Sequence, residues 1–203
     1  MNCSFAGMNF LAHAYLSFNN PEILVGNMIS DFVKGSARLR FSGKIPDGIM
    51  LHRNIDEYTD NHYATRQAKE IFRPHYRLYS GAIVDVLYDH FLANDPSSFN
   101  TDSLELFTQQ SYNTIELYST QLPLRFLNMF SYMRTENWLF HYHTKNGIRN
   151  SLQGLVRRAA YLSESHTAFQ LFVDHYDVLQ GCFNNFFPDV KQFAKHRMEE
   201  LIR

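Results

Sequence analysis

Histidine and carboxylate side chains recur at four-residue steps in two separate segments of this chain. The two series are His52, Asp56 and Asp60, and Asp85 and Asp89 with the adjacent His90. Residues four apart lie on one face of a helix, so each series predicts a helix with a polar stripe. A single series is also typical of a solvated helix face. Two such series indicate two helices that supply ligands to one divalent metal ion.

The rest of the chain favours helices, because no segment alternates apolar and polar residues as a half-buried strand does. Asn20-Pro21 predicts the start of a helix that ends near Gly35, and Pro46 predicts the start of the helix that holds His52. Further helices are predicted over about residues 64–72, 79–93, 101–119, 123–134, 148–163, 168–187 and 188–203, with Pro74 and Pro188 as interruptions. The predicted fold class is all-α, a single-domain helical bundle, which suits a chain of 203 residues.

Composition limits the setting and the partners of the protein. The formal net charge is -1, so no overall charge draws the chain to nucleic acid. The two cysteines, Cys3 and Cys182, cannot form a disulfide framework, which favours a reducing cytoplasm. The first twenty residues carry no Lys or Arg, and no apolar run reaches a membrane span, so we expect no signal peptide and no membrane partner. Residues 1–7 are predicted to be an N-terminal extension to a domain at 8–203.

Residues 81–92 predict a buried helix, because they are mostly apolar and include no Lys or Arg. Burial of an unpaired carboxylate is costly, so Asp85 and Asp89 must be paired, protonated or bound to a cation. A cation is the interpretation that accounts for both acids together. The alternative is that they accept hydrogen bonds from arginines elsewhere, such as Arg53 or Arg66.

Two more polar residues lie in apolar surroundings. Asp31 is the only acid in the stretch 24–33, and His13 lies among apolar residues at 10–16. Asp31 is a candidate ligand or a structural carboxylate. His13 is a weaker candidate, since a single histidine on an apolar face is also typical of a protein core. The chain has no Gly-x-Ser-x-Gly motif and no histidine or acid near either cysteine, which favours a metal-activated water over a nucleophilic side chain.

Several motifs in the same order resemble the acyl carrier protein phosphodiesterase family. They are Met8-Asn9-Phe10-Leu11-Ala12-His13, Gly26 to Gly35 (GNMISDFVKG), His52-Arg53-Asn54-Ile55-Asp56 with Thr59-Asp60, Asp85 to Leu92 (DVLYDHFL), Asn137-Trp138-Leu139 and Phe186-Phe187-Pro188. The resemblance covers almost the whole chain. It implies a helical domain like that of the HD phosphohydrolases. It also implies hydrolysis of the phosphodiester that links 4′-phosphopantetheine to a serine of acyl carrier protein, with Mn²⁺ or else Mg²⁺ or Fe²⁺.

The motifs carry the family's site onto particular positions. The expected metal ligands are Asp31, His52, Asp85, Asp89 and His90, with His13 as the weaker candidate. The expected catalytic residues are Asp31, Arg53, Asp56 and Asp60, in which Asp56 or Asp60 orients the water and Arg53 stabilises phosphoryl charge. Lys34, Arg38 and Arg40 are expected to dock the acidic carrier protein, although they also suit an ordinary solvated loop. The alternatives in function are an HD-type hydrolase of a nucleotide or other small phosphoester, and a non-catalytic module that binds the carrier protein.

Overall fold

Eleven α-helices form most of the part of the chain that the computed structural model describes, residues 10–203. They are α1 (Phe10–Tyr15), α2 (Pro21–Ile29), α3 (Ile45–Asn61), α4 (Tyr63–Tyr76), α5 (Ser80–Ala93), α6 (Thr101–Leu117), α7 (Leu124–Thr135), α8 (Trp138–His141), α9 (Lys145–Arg158), α10 (His166–Asp174) and α11 (Tyr176–Leu201). Short 3₁₀ turns lie at Ser30–Phe32, Gly35–Arg40, Arg77–Tyr79 and Ser119–Gln121. The described residues include no strand, and the all-α, single-domain fold class is confirmed. The expected extension, residues 1–7, lies outside the described part.

Polar side chains fix the starts of several helices where the sequence carries cap residues. The Asn20 side chain accepts a hydrogen bond from the Ile23 amide at 3.2 Å, directly before Pro21. Asn100 and Ser103 form a reciprocal capping box at the start of α6. Each cap satisfies an amide that the helix itself leaves unpaired. The predicted start of α2 at Pro21 is therefore correct.

Two prolines were expected to interrupt helices, and this expectation is wrong. Pro74 lies inside α4, and Pro188 lies inside the 26-residue helix α11. A proline removes one backbone hydrogen bond, but the buried face of α11 continues past it, from Phe183 and Phe187 to Val190. Packing of that face on the core outweighs the lost bond. The predicted helix over 168–187 is instead divided at His175, between α10 and α11.

Helices α2 and α3 cross in direct backbone contact. A Cβ atom on Gly26 would overlap the carbonyl oxygen of Ile45, and one on Gly48 would overlap the carbonyl oxygen of Ile23. Only glycine allows this approach, because any side chain would push the helices apart. The crossing sets α2, which carries Asn27, against the part of α3 that leads, one turn later, to His52.

Helix α5 runs through the core. Its buried residues include Val84, Leu87, Phe91 and Leu92, as its apolar sequence predicted. Helices α1, α4, α9 and α11 pack around it. Within residues 10–203, no helix combines the length and the apolar character needed to cross a membrane.

Candidate metal centre

Three side chains from two helices converge on one point at the surface end of the core. His13 comes from α1, and His52 and Asp56 come from successive turns of α3. One possible ligand atom from each lies within 4.8 Å of those from the other two. Both histidines are buried, whereas the Asp56 side chain is 46% exposed. The group is therefore closed on the protein side and open to solvent at the carboxylate.

The two imidazoles lie parallel and present the same nitrogen to Asp56. Their ring centroids are 3.8 Å apart with an interplanar angle of 18°. The Nε2 atoms of His13 and His52 each lie 3.2 Å from an Asp56 oxygen, His13 from Oδ1 and His52 from Oδ2. Neither Nε2 makes a hydrogen bond of acceptable geometry, although both atoms are buried. Buried polar atoms are normally paired, so this arrangement suits a cation held between the three side chains.

Asn27 fixes the orientation and the tautomer of His13. Its Nδ2 donates to the His13 carbonyl oxygen at 3.0 Å and to Ser17 Oγ at 3.1 Å, so Oδ1 must face the ring. His13 Nδ1 donates to that Oδ1 at 2.8 Å. The proton is thus on Nδ1, which leaves a lone pair on Nε2 toward Asp56. A second hydrogen bond of this kind is typical of histidines that bind metals.

The charges of the three side chains follow from burial and from their mutual contacts. Burial and the charge of His52 lower the pKa of His13. Burial alone would lower the pKa of His52, but Asp56 and Asp31 raise it to about 10. Burial opposes ionisation of Asp56, yet the two imidazoles hold its pKa well below its usual range. Without a cation the site therefore contains neutral His13, protonated His52 and ionised Asp56.

Two of the other predicted ligands lie near this group. Asp31, in the 3₁₀ turn after α2, places Oδ1 3.4 Å from His52 Nε2 and is 17% exposed. Asp85 on α5 is half-buried, and burial together with the negative charge of Asp56 raises its pKa well above the usual value. Asp85 is therefore close enough to respond to the site. A cation would relieve the repulsion among these carboxylates.

The structure gives Asp89 and His90 partners outside this group, and their assignment as ligands stays a prediction. Both oxygens of the fully buried Asp89 accept backbone hydrogen bonds, from Leu11 at 3.0 Å and Ala12 at 2.8 Å. Asp89 thus caps α1 and holds the helix that carries His13. His90 faces away from the group, with Nδ1 2.8 Å from the Tyr142 carbonyl oxygen and Nε2 3.1 Å from the Tyr176 hydroxyl.

The predicted catalytic residues Arg53 and Asp60 also have partners. Arg53 Nη2 donates to the Val33 carbonyl oxygen at 2.8 Å and so ties α3 to the segment that carries Asp31. Asp60 is exposed and forms an ion pair with Lys69 at 2.6 Å. The ion pair engages the charge of Asp60, and its expected role as the residue that orients water stays a prediction.

Comparison with known proteins bears directly on this site. The family model described as acyl carrier protein phosphodiesterase matches residues 8–190. The chain belongs to this family. It is 34% identical over 191 residues to the acyl carrier protein phosphodiesterase of Klebsiella pneumoniae strain 342, with 94% of this chain and 99% of the relative covered. The relatives of the same name from Enterobacter sp. strain 638 and Escherichia coli O139:H28 are 33% and 34% identical over the same shares of each chain. No solved protein structure shows a significant match.

Membership of the acyl carrier protein phosphodiesterase family confirms the resemblance seen in the sequence motifs. Residues Asn27 and Ser17, however, were missed in the sequence as parts of the site. The signal was present, because Asn27 is an amide within the apolar run Leu24 to Ile29 and is fully buried. A buried amide needs hydrogen-bond partners, and the nearest motif histidine is His13.

Proposed function

We propose that this protein is a metal-dependent phosphodiesterase that releases 4′-phosphopantetheine from the serine of holo-acyl carrier protein. The observation that carries the proposal is the pair of stacked imidazoles whose unbonded Nε2 atoms both face Asp56. The relatives are named acyl carrier protein phosphodiesterases, which supports this substrate.

His13, His52 and Asp56 would hold the metal, with Asp31 and Asp85 beside them. Two imidazoles with several carboxylates suit a divalent ion such as Mn²⁺, with Mg²⁺ or Fe²⁺ as alternatives. When bound, such an ion lowers the pKa of water and neutralises phosphoryl oxygens.

The side chains of this protein would do the rest. Asp31, which contacts His52, is the candidate to accept a proton from the attacking water. The water oxygen bonds to phosphorus as the bond from phosphorus to the serine oxygen breaks, and the serine oxygen takes up a proton. Arg53 uses one nitrogen on Val33 and retains other N–H groups to stabilise the phosphoryl charge.

The carrier protein would dock on the segment Lys34 to Arg40, which follows Asp31 directly. Lys34 and Arg40 are exposed, and Leu39 between the basic residues is 68% exposed. Within residues 10–203, none of the three basic side chains forms an ion pair, whereas Lys69 and Arg73 pair with Asp60 and Glu70. Unpaired positive charge beside an exposed apolar residue suits an acidic protein partner.

Steady-state kinetics with holo-acyl carrier protein tests this docking surface. Reversal of Arg38 and Arg40 to Glu should raise KM for the carrier and weaken its salt dependence, because exposed charges act mainly on association. The matched control reverses Arg66 and Arg73, whose side chains already have partners. An increase in KM for the control alone would place docking on α4 instead.

Metal removal and return tests the reaction itself. Protein treated with a chelator should lose turnover of holo-carrier protein and regain it with Mn²⁺. Turnover of nucleotides or small phosphoesters in place of the carrier would support the HD-type alternative. If the protein binds the carrier tightly but does not turn it over with any added divalent metal ion, the result would support a non-catalytic module.

A further inference from the structure

A cavity that shares no lining residue with the metal centre lies between α8 and α9. Its volume is about 560 Å³, and none of the proposed metal ligands lines it. The two helices approach closely at Gly147, where a Cβ atom would overlap the carbonyl oxygen of His141. Small-molecule sites typically measure roughly 300–1,000 Å³, so the cleft is large enough for a metabolite.

One wall of the cleft is a continuous polar stripe. It is formed by Asn146, Asn150, Gln153 and Arg157 on α9. Their spacing of four, three and four residues places them on one helix face, over about 16 Å at 1.5 Å per residue. The amides can both donate and accept hydrogen bonds. The wall therefore suits an extended polar ligand rather than an apolar one.

Positive charge without an internal partner lies at the end of this stripe. Arg157 and Arg158 both line the cleft, and neither forms an ion pair with an acid of residues 10–203. Desolvation at the cleft wall and the charge of Arg157 both lower the pKa of Arg158, while the nearby Tyr142 hydroxyl opposes this. An anion between the two guanidinium groups would relieve their repulsion, and guanidinium binds phosphate with two parallel hydrogen bonds.

The cleft lining also includes an aromatic side chain. Trp138 lines the cleft and is half-buried, and its Nε1 donates to Glu136 Oε2 at 2.8 Å. This hydrogen bond fixes the orientation of the indole. It also engages the carboxylate of Glu136, which lines the cleft as well. Indole rings stack on nucleobases with a gain of about 1–3 kcal/mol per base.

We propose that this cleft binds a nucleoside phosphate. The phosphates would lie on Arg157 and Arg158, the base would stack on Trp138, and the amides of α9 would bind the edges of the sugar and base. The ligand is bound and not hydrolysed, because the acid in the lining, Glu136, accepts the indole hydrogen bond, and His141 is the single histidine of residues 10–203 that lines the cleft.

Intrinsic fluorescence gives a direct measurement, because Trp138 is the single tryptophan of the chain. Metal-free protein is titrated with ADP, adenosine, pyrophosphate and 4′-phosphopantetheine, without divalent ions, so that the metal centre does not contribute. ADP should quench the tryptophan and bind more tightly than the other three probes. Arg158→Gln should weaken ADP binding by roughly tenfold or more, since it removes a charged hydrogen-bond donor.

Two control variants separate this site from the rest of the protein. Arg125→Gln removes an exposed arginine of α7 outside the cleft and should leave ADP binding unchanged. Asp56→Asn alters the metal centre and should also leave it unchanged. Hydrolysis of holo-carrier protein without nucleotide should be unaffected by Arg158→Gln, so failure at the cleft would not count against the proposed phosphodiesterase.

Several results would overturn the inference. Pyrophosphate or 4′-phosphopantetheine that binds as tightly as ADP would remove the role given to the indole. An equal loss of ADP binding in Arg125→Gln and Arg158→Gln would show a general charge effect. Trp138→Phe lacks the tryptophan fluorescence, so its binding of ADP is measured by calorimetry and should be weaker than that of the unmodified protein. Absence of ADP binding to the unmodified protein by both methods would refute the site.

Discussion

Replacement of Asn27 by Leu tests whether the hydrogen bond to His13 prepares the metal centre. Leu has the same number and branching of side-chain heavy atoms but cannot accept the proton of His13 Nδ1, which now bonds to Asn27 Oδ1 at 2.8 Å. The His13 carbonyl oxygen keeps its bond from Ser17 Oγ at 2.8 Å. One buried ring nitrogen is therefore left without a partner, and the free energy of unfolding should fall by about 1–3 kcal/mol.

The larger effect is expected on the metal. Without Asn27 the ring is free to change its tautomer and orientation, so Nε2 no longer presents a fixed lone pair. Loss of such an outer hydrogen bond typically weakens metal binding by about 10–100-fold, equivalent to about 1.4–2.7 kcal/mol. Calorimetric titration of the chelator-treated protein with Mn²⁺ measures this directly, and circular dichroism verifies that the helices remain.

Ser17→Ala is the matched control for Asn27→Leu. It removes the hydroxyl that contacts Asn27 and the His13 carbonyl oxygen but leaves the bond to Nδ1 intact. Its affinity for Mn²⁺ should stay close to that of the unmodified protein. The reasoning fails if Asn27→Leu binds Mn²⁺ normally, or if Ser17→Ala loses as much affinity as Asn27→Leu.

Three further predictions follow from the same geometry. Asp31→Ala and His52→Ala should each abolish turnover while the helical circular dichroism signal survives; a parallel loss of folding would mean that these are only core polar groups. Gly26→Ala should lower the free energy of unfolding by about 1–3 kcal/mol, because the added methyl group forces α2 away from α3. Gly181→Ala, in the open middle of α11, should instead raise the free energy of unfolding by about 0.5–1 kcal/mol. Equal thermal midpoints for the two variants would contradict the close crossing. The pKa of His52 is raised from 6.5 to about 10 in the folded protein, so its contribution to the stability of the metal-free protein is complete below about pH 6.5 and is lost as the pH rises through about 10. In urea titrations, the stability advantage of the unmodified protein over His52→Gln should therefore narrow across that pH range. A constant difference would refute the charge assigned to His52.

The spacing of His52 and Asp56 predicted their geometry because a helix alone decides which residues share a face. The two lie on successive turns of α3 with His52 Nε2 3.2 Å from Asp56 Oδ2. The same spacing relates Asp89 to Asp85, but Asp89 is not among the three side chains that converge. Helical spacing fixes a face but not which neighbour packs on it, and α1 presents its amides to Asp89.

His13 shows the opposite difficulty. Its apolar surroundings in the sequence suited a core histidine, and only the packing of α1 on α2 and α3 brings it to Asn27 and His52. Pro188 also shows a tertiary effect, since the buried face of α11 extends on both sides of it. Local sequence rules predicted most helices, but contacts between helices decided the members of the site.

The most direct measurement is mass spectrometry of a holo-acyl carrier protein after incubation with this protein and Mn²⁺ in heavy-oxygen water. We predict that the carrier loses the mass of 4′-phosphopantetheine, that one free 4′-phosphopantetheine appears for each carrier, and that the heavy oxygen is in its phosphate. A carrier that keeps its full mass in the presence of folded, metal-bound protein would contradict the proposed function. Heavy oxygen on the serine instead of the phosphate would contradict attack at phosphorus.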